Sequence, residues 1–301
     1  MISNREPGLI GLAALFYWLL PFTSVFNVAP ASIAAALTTG AAMATLALAL
    51  RLLVSNRVAL VAALIAGTAT TTWAVSGTSL WSHGPDQLYL VATMLALATA
   101  RGAWAGLAFA AAILTRPPLA VTAVVGAVWE AWTRRALRPI LVVGLISGAG
   151  LALLLVYSHV YWHGGLDGQY AAVGSGRITP FVDLSPHAFS AFAINILGTL
   201  VSPGRGVLVG APFLVVLACG LRPAWRTAPS WVRSAAVGGL LYLTVQLKDI
   251  DFGGGATFWS YRYPLETLTL MAPLFVLSWR EWVSDRARRR AAFTGSSQMR
   301  V

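Results

Sequence analysis

The sequence predicts an all-α, polytopic transmembrane protein with about nine or ten membrane helices, and its composition and patterning support this prediction. Of 301 residues, 57% are hydrophobic and only 10% are charged, whereas soluble proteins carry about 25% charged residues. Long apolar runs alternate with short segments that hold most of the arginines. A water-soluble domain needs more charge to cover its surface, so lipid is the expected solvent for most of the chain.

Ten apolar runs divide the chain, and each is a candidate membrane helix. Several contain only 14–16 residues, fewer than the roughly 17–25 that usually cross the hydrocarbon core, so they need flanking residues or a thinner bilayer. The first run is interrupted by prolines and is expected either to cross the membrane or to lie along its outer surface. The runs are 8–28, 31–50, 58–78, 86–100, 102–115, 118–133, 138–158, 206–221, 234–247 and 263–279.

The distribution of cationic side chains gives the expected orientation. If the runs alternate with the N-terminus in the cytoplasm, 16 of the 21 cations fall on the cytoplasmic side, as the positive-inside rule requires. The net charge of +11 is therefore assigned to topology and anionic lipid, and no nucleic-acid partner is expected. The outer cations are Arg116, Arg177, Arg205, Lys248 and Arg262.

The chain is predicted to form a single transmembrane domain over 1–301. Within it, 159–205 forms an extracytoplasmic segment whose apolar stretch 188–201 is expected to be an interfacial or re-entrant helix. Residues 280–301 form a basic cytoplasmic tail that anchors the topology. The single cysteine, Cys219, excludes an intramolecular disulfide.

Polar residues gather on the predicted outer side, where an ionisable group at membrane depth is a functional candidate. Arg116, Arg205 and Arg262 each lie at a helix end beside glycine, proline or aromatic residues, a pattern that suits binding of a phosphate or pyrophosphate. The plainer interpretations are tight turns, interfacial tryptophans and snorkelling arginines. The four polar segments are 81–86, 116–118, 202–206 and 253–264.

Two other chemistries are not supported by the residue spacing. His159, His163 and Asp167 recur every four residues, but the glycines at 164–165 break the helix that such a metal site needs. The glycines at 253–255 lack the neighbours of a Walker or dinucleotide motif. No metal site is therefore predicted.

In order and spacing, these segments resemble bacterial polytopic glycosyltransferases of the GT-C class, particularly the actinobacterial mannosyl- and arabinofuranosyltransferase-like membrane proteins. The resemblance runs through most of the chain. It implies a multi-pass enzyme of the cytoplasmic membrane that transfers a sugar from a polyprenyl-phosphate donor to a glycan or protein acceptor outside. Its landmarks are 70–73, 79–85, 115–118, 202–206 with Pro212, and 253–266.

The resemblance also implies roles for individual residues. The lipid phosphate is expected to bind His83, Arg116, Arg205 and Arg262. The substrate is expected to contact Trp81, Gly204, Trp259 and Tyr261. The catalytic residue is unassigned, and its candidates are the outer carboxylates nearest to the polar segments, Asp86, Asp249 and Asp251. The residues require no cofactor, although a divalent cation remains open.

One departure from the family concerns the N-terminus. GT-C enzymes usually carry an acidic loop after their first helix, and this chain has no such loop before Glu6. It therefore resembles a member that lacks the first helix and loop, with 8–28 as a surface or re-entrant helix and Arg5 outside. The alternatives are a non-catalytic polyprenyl-phosphate binding protein or transporter, and a structural membrane subunit whose outer arginines pair only with Asp249, Asp251 or Glu266.

Overall fold

The computed structural model describes residues 6–20, 27–163, 185–249, 252–253 and 260–298, and these residues contain helices and turns but no β-strand. The all-α prediction is thus confirmed for this part of the chain. The first half contains α1 (Pro7–Leu19), α2 (Ala29–Leu50), α3 (Asn56–Thr68), α4 (Thr72–Ser76), α5 (His83–Ala98), α6 (Gly102–Thr115) and α7 (Ala120–Arg134). The second half contains α8 (Leu145–Trp162), α9 (Pro186–Val201), α10 (Val207–Gly210), α11 (Phe213–Ala218), α12 (Leu221–Thr227), α13 (Ser230–Asp249) and α14 (Leu265–Gln298).

Two helical stretches are long and apolar enough to cross a membrane. Ala29–Leu50 has 22 residues with a mean hydropathy of 1.9, and Ile140–Trp162, a π-helical turn that continues into α8, has 23 residues with a mean hydropathy of 2.5. Large apolar side chains such as Trp132 and Leu145 are exposed, which suits contact with lipid better than contact with water. These features fit a membrane protein, while nine or ten crossings stay a prediction.

Two of the predicted runs do not form one continuous helix. The run 58–78 divides into α3 and α4, because the Thr70 hydroxyl bonds to the Ala66 carbonyl and accepts from the Thr72 N–H, which favours a turn over the helix. The run 206–221 divides into α10 and α11 at Pro212, whose ring nitrogen cannot donate to a helical carbonyl. In contrast, α6 covers the predicted 102–115.

The core is formed by small and branched side chains between closely packed helices. α5 lies between α2 and α6, and α6 lies against α8. A Cβ atom added to Gly150 of α8 would lie 2.7 Å from the Cα atom of Ala110 in α6. Only glycine permits this approach, and such small-residue contacts are typical of helix packing in membranes.

The start of α1 lies at the same end of the bundle as Thr115. A Cβ atom added to Gly8 would lie 2.8 Å from the backbone carbon of Leu114 and 2.9 Å from Cγ2 of Thr115. Because Thr115 ends α6 on the predicted outer side, Glu6 also lies there. This position disagrees with the expectation of a cytoplasmic N-terminus and agrees with the surface or re-entrant interpretation of 8–28.

Candidate functional site

Ionisable side chains from four elements meet at the predicted outer end of the bundle. We call His83, Asp86, Arg116, Tyr242 and Glu266 the ionisable cluster. His83 and Asp86 lie in the first turn of α5, Arg116 directly follows α6, Tyr242 lies in α13, and Glu266 lies in the first turn of α14. Three of the sequence-predicted site residues, His83, Asp86 and Arg116, are thus brought together.

Local sequence positions these side chains. Arg116 precedes Pro117 and has an extended backbone with φ −155° and ψ 101°, as expected because a following proline disfavours the helical conformation. Gly84 allows the start of α5 to approach α2, since an added Cβ atom there would lie 3.1 Å from Oγ1 of Thr39. The helix end at Arg116 and the close approach of α5 together direct the polar groups inward.

The guanidinium of Arg116 occupies the centre of the ionisable cluster. Its Nη1 donates to the Tyr242 hydroxyl at 2.8 Å and lies 3.6 Å from Oε1 of Glu266. Its Nη2 donates to Oγ of Ser82 at 2.7 Å, and its Nε lies 3.2 Å from Oδ2 of Asp86. Arg116 is therefore held by side chains of the protein, and its contacts do not leave the open fork expected of a phosphate ligand.

His83 connects the two charged sides of the cluster. Its Nδ1 lies 2.6 Å from Oε1 of Glu266, and its Nε2 lies 3.3 Å from Nη2 of Arg116. A guanidinium can only donate, so Nε2 must accept and the proton must lie on Nδ1, where it is donated to Glu266. These contacts assign a neutral imidazole to His83.

The cluster carries an excess of acceptor groups. With both carboxylates ionised and His83 neutral, Asp86 and Glu266 outweigh Arg116 by one negative charge. Thr115 donates its hydroxyl to Oδ1 of Asp86, whereas Oδ2 of Asp86 and Oε2 of Glu266 have no hydrogen-bond partner among the described residues. Asp86 and Glu266 are both 0% exposed, so an unbalanced carboxylate here is costly and marks a functional candidate.

Arg262 and Trp81 form a rim beside the ionisable cluster. The guanidinium carbon of Arg262 lies 5.3 Å from the centre of the Trp81 ring and 4.9 Å from that of Tyr263. Its Nη2 donates to the Tyr263 hydroxyl at 2.9 Å, and the Tyr263 ring lies 6.5 Å from the His83 ring. Two residues predicted for phosphate and substrate binding, Arg262 and Trp81, are therefore in contact.

The segment 202–206 lies against the segment that precedes α14. The backbone N–H of Ser260 donates to the Gly204 carbonyl at 2.8 Å, and the Thr71 hydroxyl donates to the Tyr261 carbonyl at 2.6 Å. Burial raises the pKa of the Tyr261 phenol, so it stays neutral. These bonds bring Gly204 and Tyr261 to the rim side, together with the turn that carries Arg205.

Several predicted residues cannot be placed. Asp251 and Trp259 lie outside the described residues, and Asp249 ends α13 with a side chain that is likewise outside the description. The predicted re-entrant stretch 188–201 falls in α9, and 164–184 lies outside the described residues. Among the residues that the structure describes, no group of three His, Cys, Asp or Glu side chains could hold a metal ion.

An apolar groove of about 780 Å³ runs beside α3, α11 and α14. Its walls include Ala66, Leu217 and Phe275, with Arg57 at one end and Thr72 and Thr269 at the other. Nε2 of Gln87 donates to the hydroxyls of both Thr72 and Thr269. Because Gln87 directly follows Asp86 and Thr269 lies one helical turn after Glu266, the groove ends next to the ionisable cluster.

Some site residues were not identified from the sequence. Tyr242 and Gln246 are polar residues four positions apart in an apolar run, so they share one face of α13, and the Tyr242 hydroxyl donates to Oε1 of Gln246 at 3.2 Å. That spacing could have indicated a polar face turned inward. The groove, in contrast, depends on the packing of three separate helices and has no signal in any one segment.

Comparisons with known protein families, curated proteins and solved structures give no match for this chain. The ionisable cluster, the rim and the groove are therefore the features that bear on function. The site contains two buried carboxylates, each with one oxygen that has no hydrogen-bond partner among the described residues. It also has arginine and tryptophan at the rim, and the apolar groove ends within a helical turn of the charges.

Proposed function

We propose that this protein is a multi-pass glycosyltransferase of the cytoplasmic membrane, similar to the GT-C class, with about nine or ten membrane segments. It would transfer a sugar from a polyprenyl-phosphate donor to a glycan or protein acceptor at the extracytoplasmic face. The observation that carries the proposal is the position of the ionisable cluster at the end of an apolar groove. A lipid-linked sugar needs this combination, since its tail is apolar and its reacting end is polar.

The groove supports the lipid part of the proposal. Its volume of about 780 Å³ lies within the range of roughly 300–1,000 Å³ of sites for small molecules. Leu217 and Phe275 line it with apolar surface, and each buried CH₂ group of a lipid tail contributes about 0.8 kcal/mol. An isoprenoid chain in the groove would place its phosphate near Thr72 and Thr269.

Arg262 at the rim and Arg205 in the neighbouring turn support binding of the donor phosphate. Arg262 lies over the Trp81 ring, and Arg205 follows Gly204, whose carbonyl accepts from the Ser260 N–H. In this proposal, Arg205 and Arg262 neutralise the charge that develops on the departing phosphate. Arg116 instead orients Asp86 and Glu266, because its donors already face those carboxylates, Ser82 and Tyr242.

Glu266 is the carboxylate that best fits the role of general base. Its Oε2 has no hydrogen-bond partner among the described residues, while Oε1 is held by His83. Oδ2 of Asp86 also has no hydrogen-bond partner there, but it lies 3.2 Å from Nε of Arg116, which lowers its basicity. A base needs a free lone pair directed at the acceptor hydroxyl. Since Glu266 is fully buried, the acceptor reaches it only when neighbouring side chains move apart.

The experiment is a transfer assay with a radiolabelled polyprenyl-phosphate sugar in membranes that contain the protein. Arg205→Gln and Arg262→Gln are expected to reduce transfer at least about tenfold, as loss of one charge-assisted contact implies. Arg222→Gln removes an exposed cation on the predicted opposite face and serves as the matched control. Equal transfer by all four proteins would contradict the phosphate role.

The second candidate is a non-catalytic binding protein or transporter for polyprenyl phosphate. The complete burial of both Asp86 and Glu266 favours it, because carboxylates closed off from an acceptor suit binding without transfer better than catalysis. This candidate predicts saturable binding of polyprenyl phosphate without release of the sugar in the same membranes. A structural subunit, which the internal pairing of Arg116 would also allow, predicts neither binding nor transfer.

A further inference from the structure

A second cavity, of about 430 Å³, lies at the opposite end of the bundle from the ionisable cluster. It is formed where the turn between α5 and α6 meets the segment between α7 and the Ile140–Trp162 helix. We call it the arginine cavity, because Arg101, Arg134 and Arg138 line it together with the single carboxylate of Glu130. Three guanidinium groups and one carboxylate leave a local excess of two positive charges.

The one carboxylate in the arginine cavity is already occupied. Oε2 of Glu130 accepts from Nε of Arg134 at 2.8 Å, and its Oε1 accepts from the Ser230 hydroxyl at 3.0 Å. Glu130 is only 4% exposed and therefore has little capacity for a further cation. Within the described part of the chain, Arg101 and Arg138 make no side-chain hydrogen bond or ion pair.

A tight turn between α5 and α6 places Arg101 at the arginine cavity. Ala100, two residues after the end of α5, has the left-handed conformation with φ 59°. The Arg101 N–H donates to the Ala96 carbonyl at 2.8 Å. A non-glycine residue in this conformation is strained, because its Cβ atom approaches the following carbonyl oxygen. The turn is nevertheless retained, and it places Arg101 directly before the first turn of α6.

The start of α6 also contacts the start of the next long helix. A Cβ atom added to Gly102 would lie 3.5 Å from Cγ1 of Val142, so the first turns of both helices are adjacent to the cavity. The first N–H groups of a helix have no intrahelical partner, and the helix dipole favours an anion there. These groups add to the attraction of the arginines and would not define a site without them.

We propose that the arginine cavity binds a phosphate group, and that its source is the headgroup of an anionic phospholipid in the cytoplasmic leaflet. Trp104 lines the cavity and is 64% exposed, which suits contact with lipid. Basic pockets between helices on the cytoplasmic side are suited to such headgroups. The proposal depends on the membrane location of the protein and is independent of any transferase activity.

Positive charge on the cytoplasmic side also serves topology, and charge-retaining variants separate the two roles. Arg101→Lys and Arg138→Lys keep the charge that sets orientation but lose the planar fork that binds two phosphate oxygens. Arg101→Gln and Arg138→Gln remove the charge as well. Arg222→Gln removes an exposed cation from α12, outside the cavity, and is the matched control.

The experiment titrates the full-length protein in detergent with dioleoylphosphatidylglycerol or dioleoylphosphatidylcholine and counts bound lipids by native mass spectrometry. The proposal predicts retention of phosphatidylglycerol over phosphatidylcholine, with about tenfold weaker binding in each Gln variant and an intermediate loss in each Lys variant. Arg222→Gln should bind as the wild type does. A parallel arm adds inorganic phosphate as a competitor to identify the source of the phosphate group. If inorganic phosphate displaces bound lipid but the protein retains both lipids equally, the site binds a free anion and not a phospholipid headgroup.

The result that would overturn the proposal is equal retention of both lipids with no effect of inorganic phosphate. Equal losses for Arg138→Gln and Arg222→Gln would also overturn it, because binding would then follow net charge. Since Arg101 and Arg138 are exposed, their variants are expected to fold, and the elution volume of each purified variant checks this. If the wild type showed no sugar transfer but still bound phosphatidylglycerol, that result would contradict the proposed function and leave the phospholipid site intact.

Discussion

Nδ1 of His83 lies 2.6 Å from Oε1 of Glu266, although the two residues are 183 positions apart. This contact joins the start of α5 to the start of α14, and Nε2 of the same ring faces Arg116 at 3.3 Å. The neutral imidazole thereby links a carboxylate to a guanidinium within a buried network. The stability of the outer end of the bundle should depend on this network.

Removal of the central cation should strongly destabilise the protein. Arg116→Met leaves Asp86 and Glu266 without their shared partner, and breaking a buried ion pair in this way costs about 3–5 kcal/mol. The free energy of unfolding in detergent measures the effect. The double variant with Glu266→Gln should be more stable than Arg116→Met alone, because one uncompensated charge is gone. A single variant as stable as Arg222→Met would argue against the network.

The Tyr242 hydroxyl should contribute to stability through its two bonds. It accepts from Nη1 of Arg116 and donates to Gln246, so Tyr242→Phe leaves a buried donor unsatisfied and should cost about 1–3 kcal/mol. Tyr161→Phe removes a hydroxyl from an exposed ring of α8 and is the control, with an expected change below about 0.5 kcal/mol. The same unfolding measurement compares the two, and equal effects would count against the assigned bonds.

The sequence predicted the helical class and much of the cluster, but not the contacts that connect it. His83, Asp86 and Arg116 were identifiable because charges at the ends of apolar runs are rare and expensive. Pairing of the outer arginines with Glu266 was predicted only by the structural-subunit alternative, and the partner Tyr242 was not identified, because both residues lie far from Arg116 in the sequence. The division of 206–221 at Pro212 was visible in principle, but the high apolar content of that run favoured one continuous helix.

The two glycines of the 202–206 turn should respond differently to alanine. A Cβ atom at Gly206 would lie 2.7 Å from the backbone nitrogen and oxygen of Ser202, whereas one at Gly204 would meet nothing within 4 Å. Gly206→Ala should therefore lower the free energy of unfolding by at least about 1 kcal/mol, and Gly204→Ala should not. If Gly204→Ala alone weakened binding of a polyprenyl-phosphate sugar, it would support the predicted substrate contact. Equal losses of unfolding free energy for Gly206→Ala and Gly204→Ala would contradict the close approach of Gly206 to Ser202.

The apolar groove should discriminate lipids by chain length. Val58 lines the groove beside Arg57, at the end remote from Thr72 and Thr269, and Val58→Phe would occupy part of it while adding apolar surface. We expect weaker binding of long-chain polyprenyl phosphate, with little change for a short-chain analogue whose tail does not reach this depth. Ala149→Phe adds the same side chain at an exposed position of α8 and is the control. If both variants bound both lipids equally, the groove would not hold the tail.

The most direct measurement of the proposed function compares sugar transfer by the wild type and Glu266→Gln in proteoliposomes supplied with a radiolabelled polyprenyl-phosphate sugar. Glutamine keeps the shape of the side chain but cannot accept a proton, so we expect transfer to fall by at least about 100-fold while donor binding is retained. Arg222→Gln should transfer at the wild-type rate. Unchanged transfer by Glu266→Gln, or no transfer by the wild type despite donor binding, would contradict the assignment of this site as a catalytic centre.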